Sequence, residues 1–510
     1  MKRVLALVLV ALILVPLATK AQDLKEANYQ LKIENYQVAL KAYLNAYKKD
    51  TGNVDIHYGI GLSRTKTNSD PAQALPHLLK AESKYGQEGD YLLALARAYF
   101  FNHKFDKARE TLTKASAKLK GDPNIELLKA YIDNAERMVK SPIDVTFVNL
   151  GKGINSDMDD ITPILSPDGE FLFYSSNRKY DTGFKEYMWD VYFSNSESGD
   201  YKKNKTASVF NTAEDEIMAG VSLNGTEFYF YQDAYGVDRD LVVSTIEAGA
   251  LKGKTPMPPA INTKGVEKAA TSTVTGDTLI FASDGHGGEG GFDLFYSVRL
   301  PNGDWSESVN LGKGVNSQYD ELYPMFSNDG KKLYFCSNGP KSMGGFDVFV
   351  CNFDAKNMKF GEPKNIGYPL NDVYDNLTIS YSPDGNYAYV SAIKPDSYGY
   401  SDIYRVVFND KDPMVRLYMV KLQIAQGEEK VDFGETEADL KVSVFTKGKT
   451  LFGTYNYNPA TSSVNVALLP GDYVLEIEGS SIEPFSMKIN VPNAPGKKIE
   501  NTKAVLKLKK

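Results

Sequence analysis

Residues 23–140 place apolar side chains at helical spacing and then repeat that placement. Tyr36-Gln-Val-Ala39-Leu-Lys-Ala-Tyr43-Leu-Asn-Ala46 aligns with Phe105-Asp-Lys-Ala108-Arg-Glu-Thr-Leu112-Thr-Lys-Ala115, and Ala74-Leu-Pro-His-Leu78-Leu-Lys-Ala81 lies between them. The first alanine recurs at Ala39, Ala74 and Ala108, and the last at Ala46, Ala81 and Ala115, both in steps of 35 and 34. Alanine at such points lets two helix backbones approach while the neighbouring aromatic fills the space beside them. Asp122-Pro123 opens a further helix over about 123–139, with Ile125, Leu128, Ile132, Ala135 and Val139 on one face. It is expected to cap the array, because a terminal repeat must hide its neighbour's apolar face.

A 34-residue period of paired helices resembles the tetratricopeptide repeat (TPR). The third copy resembles it best, with Ala96, Tyr99, Phe105, Ala108, Leu112 and Ala115 where that family places small and large packing residues. The resemblance implies an α-solenoid over residues 22–140 that binds a protein or peptide. No residue in it announces the ligand.

After Ser141-Pro142 the period changes from helical to alternating, and five segments align on two landmarks. The first is a turn: Ser166-Pro-Asp-Gly169, Ser222-Leu-Asn-Gly225, Thr273-Val-Thr-Gly276, Ser327-Asn-Asp-Gly330 and Ser382-Pro-Asp-Gly385. The glycines are 56, 51, 54 and 55 residues apart. The second is an aspartate opening a strand, at Asp190, Asp240, Asp293, Asp347 and Asp402, spaced by 50, 53, 54 and 55. Between them run strands such as Phe171-Leu-Phe-Tyr, Phe228-Tyr-Phe-Tyr and Leu333-Tyr-Phe-Cys, apolar on both faces as stacked sheets require. The turn chemistry fits: Asp or Asn initiates, and Gly accepts the positive φ that closes a hairpin.

Repeats of about 50 residues with several strands each predict a β-propeller over residues 141–412. The segments resemble the PD40 (TolB-like, WD40-like) propeller repeat, although the second, third and fourth copies lack its proline. Five blades are expected, with a sixth, degenerate blade as the alternative. Val145-Thr-Phe-Val is placed to supply the outer strand that closes the last blade onto the first.

Equivalent aspartates of a propeller form a ring, and a carboxylate ring is one way to hold a cation. Aspartates in turns ordinarily bond their own backbone, so no metal is assigned to Asp190, Asp240, Asp293, Asp347 and Asp402. Asp157, Asp159, Asp160, Asp320 and Glu321 are expected to be solvated loop residues. Asp284-Gly-His-Gly-Gly-Glu-Gly-Gly291 lacks the Lys and Ser/Thr of a phosphate loop and is expected to be a flexible connection between strands. With a hairpin centred near Ser342, Cys336 faces Val348 and Cys351 faces Leu333. That offset is about 10 Å along a strand, past the roughly 7 Å limit on Cα separation for a disulfide. Two buried thiols are expected.

From residue 413 the repeat stops. Lys441-Val-Ser-Val-Phe, Ser463-Val-Asn-Val-Ala, Tyr473-Val-Leu-Glu-Ile-Glu and Phe485-Ser-Met-Lys-Ile-Asn-Val are short alternating strands, predicting a small β-sandwich over 413–510. Leu468-Leu-Pro-Gly-Asp-Tyr-Val-Leu-Glu-Ile resembles the corresponding strand of the carboxypeptidase-regulatory-like, prealbumin-type fold. That resemblance implies an adhesive or spacer module.

Composition narrows the class. A length of 510 residues suggests about three domains. Two Cys and four His exclude a disulfide framework or a zinc cluster. The net charge of −7 argues against a dedicated nucleic-acid binder. Lys2 and Arg3, the apolar run Val4 to Val15, Pro16 and Thr19-Lys20-Ala21 read as a secretory signal peptide over 1–21, cleaved before Gln22. Its loss leaves 55 basic against 65 acidic residues, a charge of −10. Export as a soluble protein is expected.

Signal peptide, TPR, PD40 propeller and regulatory-like sandwich in this order resemble a periplasmic family of Bacteroidota that includes the type IX secretion component PorE. The family continues into an OmpA-like domain that grips peptidoglycan, whereas this sequence stops at Lys507-Leu-Lys-Lys510, so direct peptidoglycan binding is not expected. The resemblance implies a non-catalytic scaffold at the periplasmic side of the outer membrane, attached through partners. Those would be an outer-membrane barrel protein of the PorP/SprF type or other secretion-system subunits. Alternatives are an exported type IX cargo, a propeller binding a glycan or metal, or a propeller hydrolase. Gly-x-Ser-x-Gly and His-Glu-x-x-His are both missing, and neither catalytic residues nor a cofactor are assigned.

Overall fold

The computed structural model describes residues 24–67, 70–183, 186–195, 201, 203–208, 210–233, 240–247, 250–408, 416–426, 429–433, 440–458, 461–468, 471–491 and 499–509. The segment assigned to a signal peptide lies outside the described residues. Contact clustering separates a helical unit from a β unit. The helical unit also takes in Pro340–Gly345 and Asp372–Asp375.

Seven helices form the first unit: α1 (24–32), α2 (Tyr36–Tyr47), α3 (Val54–Arg64), α4 (Ala74–Tyr85), α5 (Gly89–Phe101), α6 (Phe105–Lys118) and α7 (Pro123–Met138). Their starts are set by local chemistry. The Asn53 side chain accepts from the backbone N–H of Asp55 at 2.9 Å and of Ile56 at 3.3 Å. Asp122 accepts from Asn124 N at 2.8 Å, and Pro123, which has no N–H to satisfy, follows it. Ala39, Ala74, Ala81, Ala108 and Ala115 are fully buried. The helices pack closely enough that a Cβ on Gly61 would strike the Leu78 side chain.

A histidine pair ties α3 to α4, beside the bonds that Asp55 accepts from Lys84 and Tyr85. His57 Nδ1 and His77 Nδ1 lie 2.9 Å apart, so one ring donates and the other accepts. His57 Nε2 reaches the Thr51 carbonyl at 3.0 Å, and Tyr47 sets its ring edge-on to both imidazoles. Burial lowers the pKa of His57, and burial with the neighbouring charge of His57, Arg64 and Lys80 lowers that of His77 to about 4.

The β unit begins with five antiparallel sheets, one per sequence repeat. Their three principal strands are Asp160–Leu165, Phe171–Asp181 and Glu186–Asn195 in the first sheet, and Asp215–Val221, Glu227–Asp233 and Asp240–Glu247 in the second. Glu267–Ser272, Thr278–Ser283 and Asp293–Val298 form the third, and Glu321–Phe326, Lys332–Ser337 and Asp347–Asp354 the fourth. The fifth has Ser380–Tyr381, Tyr387–Ala392 and Asp402–Phe408. Short following strands extend sheets one to four. The fifth is extended instead by Val145–Asn149, whose residues pair from Val145↔Phe408 to Asn149↔Tyr404.

Apolar clusters join the sheets in sequence. Phe173 packs with Phe228, Tyr229 with Phe281, Ile280 with Phe335, and Val348 with Val390. Leu172 and Tyr174 of the first sheet then share a cluster with Tyr389 and Ile403 of the fifth. Both faces of each sheet are therefore covered, which is why the middle strands are apolar throughout. Cys336 pairs with Val348 and Cys351 with Leu333; both are buried and no disulfide forms.

Two further sheets end the chain and share one core built on Val420, Leu422, Val442, Val444, Leu475 and Ile477. One of them holds a parallel pair, Leu417–Ile424 alongside Ile499–Leu506, in a region whose alternating pattern carried no sign of strand direction.

The histidine pair makes a testable demand. A histidine whose folded pKa lies below its unfolded value of 6.5 stabilises the fold above 6.5, and that contribution is lost as pH falls towards about 4. The helical far-ultraviolet signal should therefore melt at lower temperature across this window. His77→Gln, which keeps a hydrogen-bonding group opposite His57, should flatten the dependence; an unchanged slope would count against the pair as its source.

Candidate functional site

A third landmark runs through the five repeats, in the same register as the turn glycines. Asn155, Asn211, Asn262, Asn316 and Asn371 are spaced by 56, 51, 54 and 55. Each reaches back to the preceding sheet and holds the residue that follows the strand-opening aspartate. Asn316 Oδ1 accepts from Leu294 N at 2.9 Å while its Nδ2 donates to Leu294 O at 2.8 Å. Asn211 holds Val191 and Asn371 holds Val348 in the same way. Asn155, ahead of the first sheet, holds Ile403 of the fifth at 2.8 and 3.0 Å. Asn262 makes one of the two bonds, to Leu241 O at 2.9 Å.

Five residues after each of these asparagines stands Asp160, Glu216, Glu267, Glu321 or Asn376, and all five side chains are buried. The expectation that Asp159, Asp160 and Glu321 are solvated is therefore corrected. Each acid folds back onto the Ser or Thr beside the asparagine, as in Glu321, which accepts Ser317 N at 2.9 Å and Ser317 Oγ at 2.8 Å. Ser337 Oγ supplies a third donor at 2.7 Å. Glu267 repeats the pattern with Thr263 and Ser283, and Glu216 with Thr212. Asp160 takes Ser156 and also Arg178. Asp157 is exposed and Asp320 half-buried, bonded to Asn338.

The strand-opening aspartates stay with their own sheets. Among the described residues no three His, Cys, Asp or Glu side chains gather as metal ligands. Instead of bonding only their own backbone, three of them accept from asparagine side chains. Asn149 donates to Asp402 at 2.8 Å, Asn310 to Asp293 at 2.9 Å and Asn365 to Asp347 at 2.6 Å. Asp190 is buried opposite Lys179 at 3.6 Å, and Asp240 is half-buried.

The Gly-rich connection is not the loose loop expected of it. Glu289 N donates to Asp293 Oδ2, and a Cβ on Gly285, Gly288, Gly290 or Gly291 would strike a neighbouring group. It is glycine-rich because it wraps a buried aspartate.

The five turns each close with a glycine at positive φ, from +65° at Gly385 to +74° at Gly169. They converge: a Cβ on Gly169 would approach Pro383, one on Gly225 would approach Pro167, and Asn328 donates to the Ser382 carbonyl at 2.9 Å. Over them lies the segment 451–458, whose strand Leu451–Tyr455 belongs to one of the two C-terminal sheets and whose strand Tyr457–Asn458 belongs to the other, with Asn458 Nδ2 3.3 Å from Asp168 Oδ2. A solvent-open chamber of about 710 Å³ lies between the turns and this segment.

In the helical unit Ala39, Ala74 and Ala108 are packing residues. The charged candidate there is Arg97 on α5. Its guanidinium donates to Asn124 Oδ1 at 2.9 Å, and among the described residues it has no ion pair. Burial lowers its pKa. Lys66, its neighbour, stands over the Tyr36 ring at 5.7 Å and is also shifted down, by burial and then by the charge of Arg97.

Comparison with known proteins agrees with part of this. Residues 67–132 match the family model of the tetratricopeptide repeat. No curated protein matches the chain. Among solved structures, TolB from Acinetobacter baumannii is similar at 15% identity and a TM-score of 0.31, covering 57% of this chain and 71% of that one. A TolB-like protein from Agrobacterium tumefaciens is similar at 15% identity and 0.30, covering 52% and 98%. The α-L-arabinofuranosidase PaAbf62A from Podospora anserina is similar at 10% and 0.36, covering 53% and 98%. The architecture is a TPR region followed by a large all-β region with TolB-like propeller neighbours. Among the described residues no helix is long and apolar enough to cross a membrane.

Two substitutions test the network. Asn316→Ala orphans the buried N–H of Leu294, whose carbonyl keeps the bond from Leu311 N, and should cost about 1–3 kcal/mol by urea unfolding, while exposed Asn302→Ala should cost less than about 0.5. Burial raises the pKa of Glu321 to about 7 despite hydrogen bonds from Ser337 and Ser317. A carboxyl raised above its unfolded value of 4.5 favours the fold below 4.5 and loses that contribution as pH rises to about 7. Glu321→Gln should reduce the fall in stability over that window; identical slopes would overturn the assignment.

Proposed function

We propose that the chain is a non-catalytic interaction scaffold at the periplasmic side of the outer membrane, accessory to type IX secretion or gliding machinery. On this reading it is built as a TPR solenoid, a five-bladed propeller and a C-terminal β-sandwich. Its partners are proteins: an outer-membrane barrel of the PorP/SprF type or secretion-system subunits.

The observation that carries the reading is Arg97. This half-buried guanidinium bonds only the neutral Asn124 directly and has a second cation, Lys66, beside it, with Asp122 near enough to act on both but bonded to neither. Such a pair suits an acidic group on a partner protein docked along α3, α5 and α7. Support for a non-catalytic role comes from the buried acids of the β unit. Glu267 and Glu321 have both carboxylate oxygens engaged by N–H and hydroxyl donors, the office of a structural group.

The test is affinity capture with the tagged full-length protein from detergent-solubilised envelopes, followed by mass spectrometry. A barrel protein and secretion subunits should be recovered, and Arg97→Gln should lower their yield roughly tenfold with the helical circular dichroism unchanged. Recovery of nothing above background would overturn stable scaffolding.

A further inference from the structure

We infer that the chamber between the five turns and the C-terminal segment 454–458 is a binding site for a neutral oligosaccharide. At about 710 Å³ it falls within the range of ligand-binding clefts. Its lining is amide-rich, and the amides are left with unspent hydrogen-bonding capacity. The Oδ1 of Asn224 is used inside its own turn by Ser222 and Thr226, leaving Nδ2 without a partner among the described residues. Asn328 is the reverse: Nδ2 is spent on Ser382, and Oδ1 is open. Asn465 Oδ1 is buried and unbonded, and Asn456 makes no bond either.

The charges on the wall are already answered. Asp168 accepts from Ser166, Glu170 N and Asn458; Asp329 accepts from Ser327 and Lys331 N; Asp354 accepts from Asn357 and Lys356 N. What remains on offer is a set of neutral donors and acceptors beside apolar ring surface from Phe326 and Phe353. A hydroxyl both donates and accepts, so a sugar answers Asn224 Nδ2 and Asn465 Oδ1 with one kind of group while its C–H face lies against an aromatic ring. An anionic ligand would find only Lys331, and a cationic one only carboxylates that already have partners.

Titration calorimetry on the full-length protein tests this with maltotriose, cellotriose, xylotriose and triacetylchitotriose, and with N-acetyl-trialanine amide as a neutral peptide. At least one saccharide should bind one site with a Kd between about 10 μM and 1 mM. Asn465→Leu should weaken it at least tenfold. Asn456→Trp, at an exposed and unbonded position, should fill the chamber and do the same if Asn465→Leu fails to fold. Arg97→Gln should leave binding intact, which separates this site from the partner-binding groove. No heat from any saccharide at about 10 mM, binding untouched by the chamber variants, or a response to N-acetyl-trialanine amide alone would each overturn the assignment.

Discussion

The β unit depends on one recurring contact: the side-chain amide of an asparagine seated on the main chain of the preceding sheet. An asparagine amide carries the same N–H and C=O pair as a peptide group, so it extends the neighbouring strand by one residue's worth of pairing. Placed between sheets, it fixes how far each stands from the last. The Asn155 contact with Ile403 applies the same device between the fifth sheet and the first. Val145–Asn149 completes the fifth sheet, and the cluster of Leu172, Tyr174, Tyr389 and Ile403 fills the space behind it.

The buried acids follow from that contact. Holding an asparagine in place requires the turn around it to be rigid, and an acid five residues on ties the turn's N–H and hydroxyl to the start of the next strand. Where a cation reaches the acid, as Arg178 reaches Asp160 and Lys254 reaches Glu216, the charge is partly answered. Where none does, as at Glu321, desolvation drives the carboxyl towards its neutral form. Asn376 in the fifth repeat shows that an uncharged group is admitted at the same place. The third repeat departs furthest from the pattern: its asparagine makes one of the two bonds, and its turn has Thr273 and Thr275 where the others have Ser and Asp or Asn.

The helical unit is held by different means. Its small residues bring backbones together, and the polar groups set into its packing include a histidine pair between α3 and α4, and Arg97 beside α7. Neither belongs to the repeat pattern. Both arise where a particular side chain replaces a packing residue, which makes them the places to look for behaviour specific to this protein.

The sequence by itself carried the helical array, the five turns and the strand-opening aspartates, because periodic burial writes a periodic pattern. The pairing of Cys336 with Val348 was legible for the same reason, since hairpin register follows from the turn. The asparagine landmark was equally periodic, yet asparagine in a loop looks like ordinary turn chemistry, and its partner lies one sheet back. Burial of Asp160 and Glu321 was decided only in three dimensions, because a carboxylate followed by a strand looks the same whether water or a serine hydroxyl answers it. The Gly-rich loop was misjudged on the same ground: composition records missing side chains, and only packing shows that Asp293 and Asp320 occupy the space they left. The parallel strand pair and the turn-lined chamber belong to tertiary structure alone, since each joins segments that local pattern cannot relate.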